Sequence, residues 1–189
     1  MKRKQLWAVA LAALAIIAGA VYVALPYFIR TGAGEPPLNF VAVSERLTSS
    51  GQPSAAQLRQ LGAQGYELVI NLAPPESFGS LADEAGLVAA QGIAYVNIPV
   101  NWEQPTARDF ALFSDVLKGA RDRKVWVHCQ MNMRASVFIF LHRVIVGKVS
   151  VDNAITDVHT VWVPNATWRH FIETTLRQHN VRFDPLAFS

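Results

Sequence analysis

This sequence is short of several things, and each shortage narrows what the protein does. It has a single cysteine, Cys129, so no disulfide can form within the chain and a disulfide-framed fold is excluded. Its histidines lie at positions 128, 142, 159, 170 and 179, with neither metal-ligand spacing nor companion cysteines, so no metal or other cofactor is expected. There is no internal repeat and no low-complexity tract. Net charge is also scarce once the amino-terminal region is set aside. Four of the 17 Lys and Arg precede Thr31, and all 14 Asp and Glu lie at or beyond Glu35. The remainder is therefore near neutral despite a basic overall pI, and a nucleic-acid partner is not expected.

The stretch behind the first few residues lacks charge altogether. Leu6 to Ile29 is an uninterrupted, nearly all-apolar run, long enough as a helix to cross a hydrocarbon core of about 30 Å. Lys2, Arg3 and Lys4 precede it. The expectation is one transmembrane helix over 1–30 that anchors the protein in the membrane, with the amino terminus cytoplasmic and the rest extracytoplasmic, periplasmic in a bacterium. A cleaved signal sequence is the alternative, with Ala18-Gly19-Ala20 as the small-residue site. Residues 31–38, rich in Gly and Pro, read as a linker, and 39–189 as one domain.

Strand and helix signals alternate through that domain. Short apolar runs at 40–43, 67–72, 93–100 and 124–127 read as strands. Ser54-Ala-Ala-Gln57, Ser80-Leu-Ala-Asp83 and Thr106-Ala-Arg-Asp109 read as capping-box helix starts. Further helices are expected over 134–146, 151–161 and 167–179, with Asn165 as a helix cap. The implied fold class is α/β, a mainly parallel central sheet flanked by helices. Ligands of such sheets bind at the carboxyl ends of the strands.

Cys129 stands at one of those ends, in His128-Cys-Gln-Met-Asn-Met-Arg134. A loop between a buried strand and a helix start has N–H groups without partners. With the helix dipole, they form an anion site. The same field favours thiolate over thiol. Arg134 adds a planar fork suited to two oxygens of an oxyanion. An activated nucleophile inside an oxyanion cradle is the chemistry expected here.

With Ser50-Gly-Gln-Pro-Ser54, the VINL and YVNIPV segments and VHC followed by Arg and a helix, the chain resembles the cysteine-based tyrosine/dual-specificity phosphatase superfamily, in its small bacterial branch, from about Phe40 to Leu176. The resemblance implies Cys129 as the nucleophile that forms a phosphocysteine, Arg134 as the phosphoryl-binding residue, and Gln130, Met131, Asn132 and Met133 as the amide cradle. It also implies His128 as a support of the loop, and a phosphorylated substrate of unknown class. Three features depart from the family. Four residues rather than five separate Cys129 from Arg134, a spacing similar to that of rhodanese-like sulfurtransferases. The loop has no glycine, and Asn132 is its residue best able to turn left-handed. Ala135 stands where a hydroxyl residue normally follows Arg, with Ser136 one position later. The family's acid loop corresponds to Asn101-Trp-Glu-Gln-Pro105, which has no Asp, so Glu103 is the candidate general acid. The functions in view are phosphate-monoester hydrolysis, phosphate binding without turnover, and sulfur transfer through a persulfide on Cys129.

Overall fold

The computed structural model describes residues 35–188. The expected membrane-spanning or signal segment lies outside them, and among the described residues no helix is long and apolar enough to cross a membrane. The strands are β1 (Val41–Ser44), β2 (Leu47–Ser50), β3 (Leu68–Asn71), β4 (Ala94–Asn97) and β5 (Val125–His128). The helices are α1 (Ala55–Leu58), α2 (Glu84–Ala89), α3 (Ala107–Gly119), α4 (Met133–Ile145), α5 (Val151–Val161) and α6 (Ala166–Gln178).

The strands form one sheet in the order β1-β2-β5-β3-β4. All neighbours are parallel except the β1–β2 edge pair. The last strand in sequence is thus inserted at the centre, between β2 and β3. Its carboxyl end, His128, pairs with Ser50 on one side and Asn71 on the other.

Alternation along β5 sends Val125, Val127 and Cys129 to one face and Trp126 to the other. The first face carries the larger core, covered by α3 to α6. Its centre is α4, in which ten of 13 residues are buried. Phe138 stacks on Phe171 and meets Phe110 and Phe113 edge-on. The second face is smaller, with Trp126, Val69 and Tyr66 under Leu58 and Val88 of α1 and α2.

One strand was not read from the sequence, and one helix start is corrected. The strand β2 carries no apolar alternation, since its sequence is Leu-Thr-Ser-Ser, and periodicity does not reveal it. It is nonetheless buried, because each hydroxyl has a partner: Thr48 with Tyr66, Ser49 with Asn132, and Ser50 with Trp126 Nε1. The helix expected from Ser80 begins instead at Glu84. Asp83 is its cap and accepts from the Gly86 amide, while Ser80 Oγ is buried without a partner among the described residues. The other two capping boxes form as expected, at Ser54–Gln57 and Thr106–Asp109. Asn165 caps α6.

Candidate active site

The loop from Cys129 to Arg134 leaves the carboxyl end of β5 and enters α4. Cys129 is wholly buried, and its amide donates to Ser50 O. Met131 then forms an isolated antiparallel bridge with Gly51. Gln52 N donates to Gln130 O at 3.1 Å, and Asn39 Nδ2 donates to Met131 O at 2.9 Å. Both bonds fix peptide orientation. In a trans peptide the C=O and the next N–H point in opposite directions, and no peptide here is cis. Holding the carbonyl of Gln130 on the β2 side therefore turns the amide of Met131 to the other side of the loop.

Asn132 turns the chain into the helix. It is the residue preceding α4 and has φ 66° and ψ −2°, the left-handed conformation expected of it in a loop without glycine. Its side chain is fully buried. Nδ2 donates to Asn39 O and to Ser49 Oγ, the latter at 3.0 Å. A residue of this conformation at the helix entrance leaves the first N–H groups of α4 free. Among the described residues, the amides of Gln130, Met131, Met133 and Arg134 have no acceptor. With the helix dipole they give the start of α4 a positive potential.

Arg134, in the first turn of α4, is 7% exposed. Among the described residues it has no carboxylate partner, and its Nε is buried without a hydrogen bond. Its guanidinium lies over the ring of Trp102, 5.4 Å from the centroid, a contact that orients the cation without neutralising it. Trp102 is in turn packed against Trp162 and Trp168, and its carbonyl accepts from Trp168 Nε1. A buried, unpaired guanidinium is costly unless an anion completes it. Here it sits in the same helix turn as the free amides.

The remaining candidates fall in different places. Ser136 Oγ donates to Met133 O within α4, so its hydroxyl is engaged inside the helix. Glu103 is exposed and lines a recess of about 270 Å³ with Gln104, Thr167 and His170, a lining that includes neither Cys129 nor Arg134. Asp109 serves the capping box of α3. His128 is on the opposite face of β5 from Cys129, wholly buried, with Nε2 2.7 Å from Glu84 Oε1. That is a close polar contact without hydrogen-bond alignment, and among the described residues both ring nitrogens are otherwise without partners.

Glu84 is the residue that sequence reasoning missed. It is 5% exposed and accepts from Gln52 Nε2 at 2.6 Å and, more weakly, from Asn71 Nδ2 at 3.4 Å. Burial pushes its carboxyl up, but the His128 contact, Gln52 and Tyr95 outweigh it and hold Glu84 below its ordinary value. The same burial, with the Glu84 charge second, pushes Tyr95 up to about 12. Gly51 is the other missed residue. A Cβ there would lie 2.9 Å from Gln130 O and 3.1 Å from Leu38 O, so only glycine lets the Ser-Gly-Gln-Pro turn lie against the loop. The turn itself was legible in the sequence, but its contact with the loop was not.

No known family profile matches the chain. Over 119 residues, 61% of the chain, it is 32% identical to a beta-lactamase hydrolase-like protein of Xylella fastidiosa. That stretch is 27% of the relative, so the chain spans about a quarter of the length of the curated relatives it matches. Among solved structures, a DUF442 candidate phosphatase of Shewanella putrefaciens superposes with a TM-score of 0.68 and 29% identity, covering 75% of this chain and 91% of that one. The catalytic domain of the PP-IP phosphatase SIW14 of S. cerevisiae gives 0.62 at 16% identity, covering 77% and 94%, a likeness of fold alone.

Proposed function

We infer that this chain is a member of the cysteine-based tyrosine and dual-specificity phosphatase-like superfamily and hydrolyses phosphate monoesters through a phosphocysteine, a reading supported by its likeness to the Shewanella structure. The observation that carries the reading is the coincidence of a lone cysteine, a run of amides without acceptors and a buried, unpaired Arg134 in one strand-to-helix loop. In the first step the Cys129 thiolate attacks phosphorus in line. An S–P bond forms, the bond to the leaving oxygen breaks, and that oxygen takes a proton. Water then attacks phosphorus, the S–P bond breaks, and phosphate and the thiolate are released. Arg134 and the loop amides hold the equatorial oxygens throughout, so the charge of the transition state is met by donors already in place.

Glu103 is the proposed acid. It is the one carboxylate of the loop Asn101–Pro105, next to Trp102, whose ring lies under the Arg134 guanidinium. Its exposed position means that it reaches the leaving group by movement of that loop. Aryl phosphates, including phosphotyrosine, are the substrates to try first, because the Trp102–Trp162–Trp168 cluster gives the site an aromatic flank.

The four-residue spacing favours one other enzymatic reading, sulfur transfer. The Cys129 thiolate would take the outer sulfur of thiosulfate, release sulfite and keep a persulfide for a thiol or cyanide acceptor. A third reading is oxyanion binding without turnover, supported by the absence of an Asp in the acid loop. One set of assays separates the three: hydrolysis of an aryl phosphate from about pH 5 to 8, thiosulfate:cyanide transfer, and phosphate binding. Wild type, Cys129→Ser and Glu103→Gln are compared. Hydrolysis that is lost in Cys129→Ser supports the phosphatase. Equal inactivity of wild type and Cys129→Ser on the phosphate ester sinks it. Glu103→Gln at the wild-type rate removes Glu103 as the acid.

We further propose that Leu6–Ile29 anchors the domain on the extracytoplasmic side of a membrane. A carboxyl-terminal reporter active only outside the cytoplasm tests the orientation, and activity of a cytoplasm-only reporter overturns it.

A further inference from the structure

Glu84 is the one Asp or Glu among the buried residues described. Burying a carboxylate is expensive, and an apolar side chain of similar volume gives equal or better stability in most such places. Its cost therefore asks for a use. Its partners answer the question, because each belongs to a segment that converges on the nucleophile loop. Gln52 is in the turn after β2, Asn71 ends β3, and His128 ends β5 one residue before Cys129. One carboxylate at the first position of α2 thus holds three of the chain crossings that surround the loop.

The tie through Gln52 has a specific consequence. The Gln52 side chain is held by Glu84 at 2.6 Å, while its backbone amide holds Gln130 O at 3.1 Å. That second bond is what turns the Met131 amide to the far side of the loop. If the Gln52 side chain lets go, the turn can slide along the loop, and the Gln130–Met131 peptide loses its orientation. The neighbouring Gly51 transmits such a shift directly, being in backbone contact with the same residues.

We propose that Glu84 is a positioning residue for the oxyanion cradle, acting through the Gln52 side chain to fix the orientation of the Gln130–Met131 peptide. It touches neither the substrate nor the reacting atoms. The inference rests on the reading of the Cys129–Arg134 loop as an oxyanion site, but not on turnover. A role confined to stability predicts that Glu84 variants lower the unfolding midpoint and leave ligand affinity alone. A positioning role predicts that affinity and kcat fall even in a variant that remains folded.

The test uses Glu84→Gln, which keeps the shape of the side chain, together with Gln52→Ala and the double variant. Three quantities are measured on each: the affinity for tungstate by calorimetry, kcat and KM on an aryl phosphate, and the urea unfolding midpoint. The expected result is a loss in tungstate affinity and in kcat of about 10- to 100-fold in each single variant, the scale for a displaced oxyanion donor. Substrate KM should rise less than kcat falls. The double variant should be no worse than the poorer single one, since both act through one contact. Tungstate affinity in Glu84→Gln within about twofold of wild type overturns the proposal, whatever happens to its stability. So do additive losses in the double variant. Tungstate bound by a wild type that hydrolyses nothing overturns the proposed phosphatase activity and leaves this comparison intact. A wild type that binds no tungstate overturns both.

Discussion

Asn132 offers the sharpest test of how the loop is built. Replacing it by alanine removes two hydrogen bonds, a part-buried one to Asn39 O and a buried one to Ser49 Oγ, and puts a Cβ-bearing residue with no local polar compensation at φ 66°. Each bond contributes about 0.5–1.5 kcal/mol net, and the left-handed conformation costs alanine about 1–2 kcal/mol. Loss of the unpartnered Oδ1 offsets a part of this. The expected destabilisation is about 2–4 kcal/mol, within a typical domain stability of about 5–15 kcal/mol, so Asn132→Ala still folds. Asn132→Gly loses the same bonds but not the conformational fit, and should recover about 1 kcal/mol of the loss. Asn132→Asp keeps the conformational tolerance but sets a buried carboxylate against the Asn39 carbonyl, and should be the least stable of the three. Urea unfolding followed by tryptophan fluorescence reads the series. For a urea slope of about 2 kcal/mol/M, the alanine variant falls by about 1–2 M in midpoint. An alanine variant within about 0.5 kcal/mol of wild type, or a glycine variant less stable than the alanine one, would refute the reasoning.

Arg134→Lys keeps the charge but loses the planar fork and the stack on Trp102. Phosphate affinity should fall by about tenfold or more, and a change below twofold by calorimetry would show that only the charge matters. Gly51→Ala forces a Cβ to within 2.9 Å of the Gln130 carbonyl oxygen. Tungstate affinity should drop by about tenfold or more, and an unchanged value would mean that the turn does not hold the loop. Stability should decrease on acidification in two stages. Burial first, and the charge of Lys118 second, push His142 down to about 4. Its contribution is complete above its ordinary value of 6.5 and is lost as pH falls toward about 4. The contribution of Glu84, held below 4.5, is complete above that value and is lost as pH falls further, through its own lower one. The urea midpoint should thus decline between pH 6.5 and 4, and His142→Gln should flatten that interval. A wild-type midpoint constant over it contradicts the assignment.

The sequence by itself determined the features that depend on local chemistry. Capping boxes at Ser54 and Thr106, the apolar helix after Arg134 and the left-handed turn at Asn132 are decided within a few residues of where they occur, and each was legible there. The alternation of strand and helix likewise implied the parallel sheet and placed Cys129 at a strand's carboxyl end. Tertiary structure decided what depends on distant partners. Leu47–Ser50 is a strand because Tyr66, Trp126 and Asn132 satisfy its hydroxyls, and no nearby residue announces them. Ser80 has the spacing of a cap but the packed chain gives that role to Asp83. Glu84 reads as one more charged residue at a helix start until the insertion of β5 between β2 and β3 brings His128, Gln52 and Asn71 around it. A buried carboxylate is tolerable only where several donors meet, and that meeting is a property of the sheet order rather than of any segment of the chain.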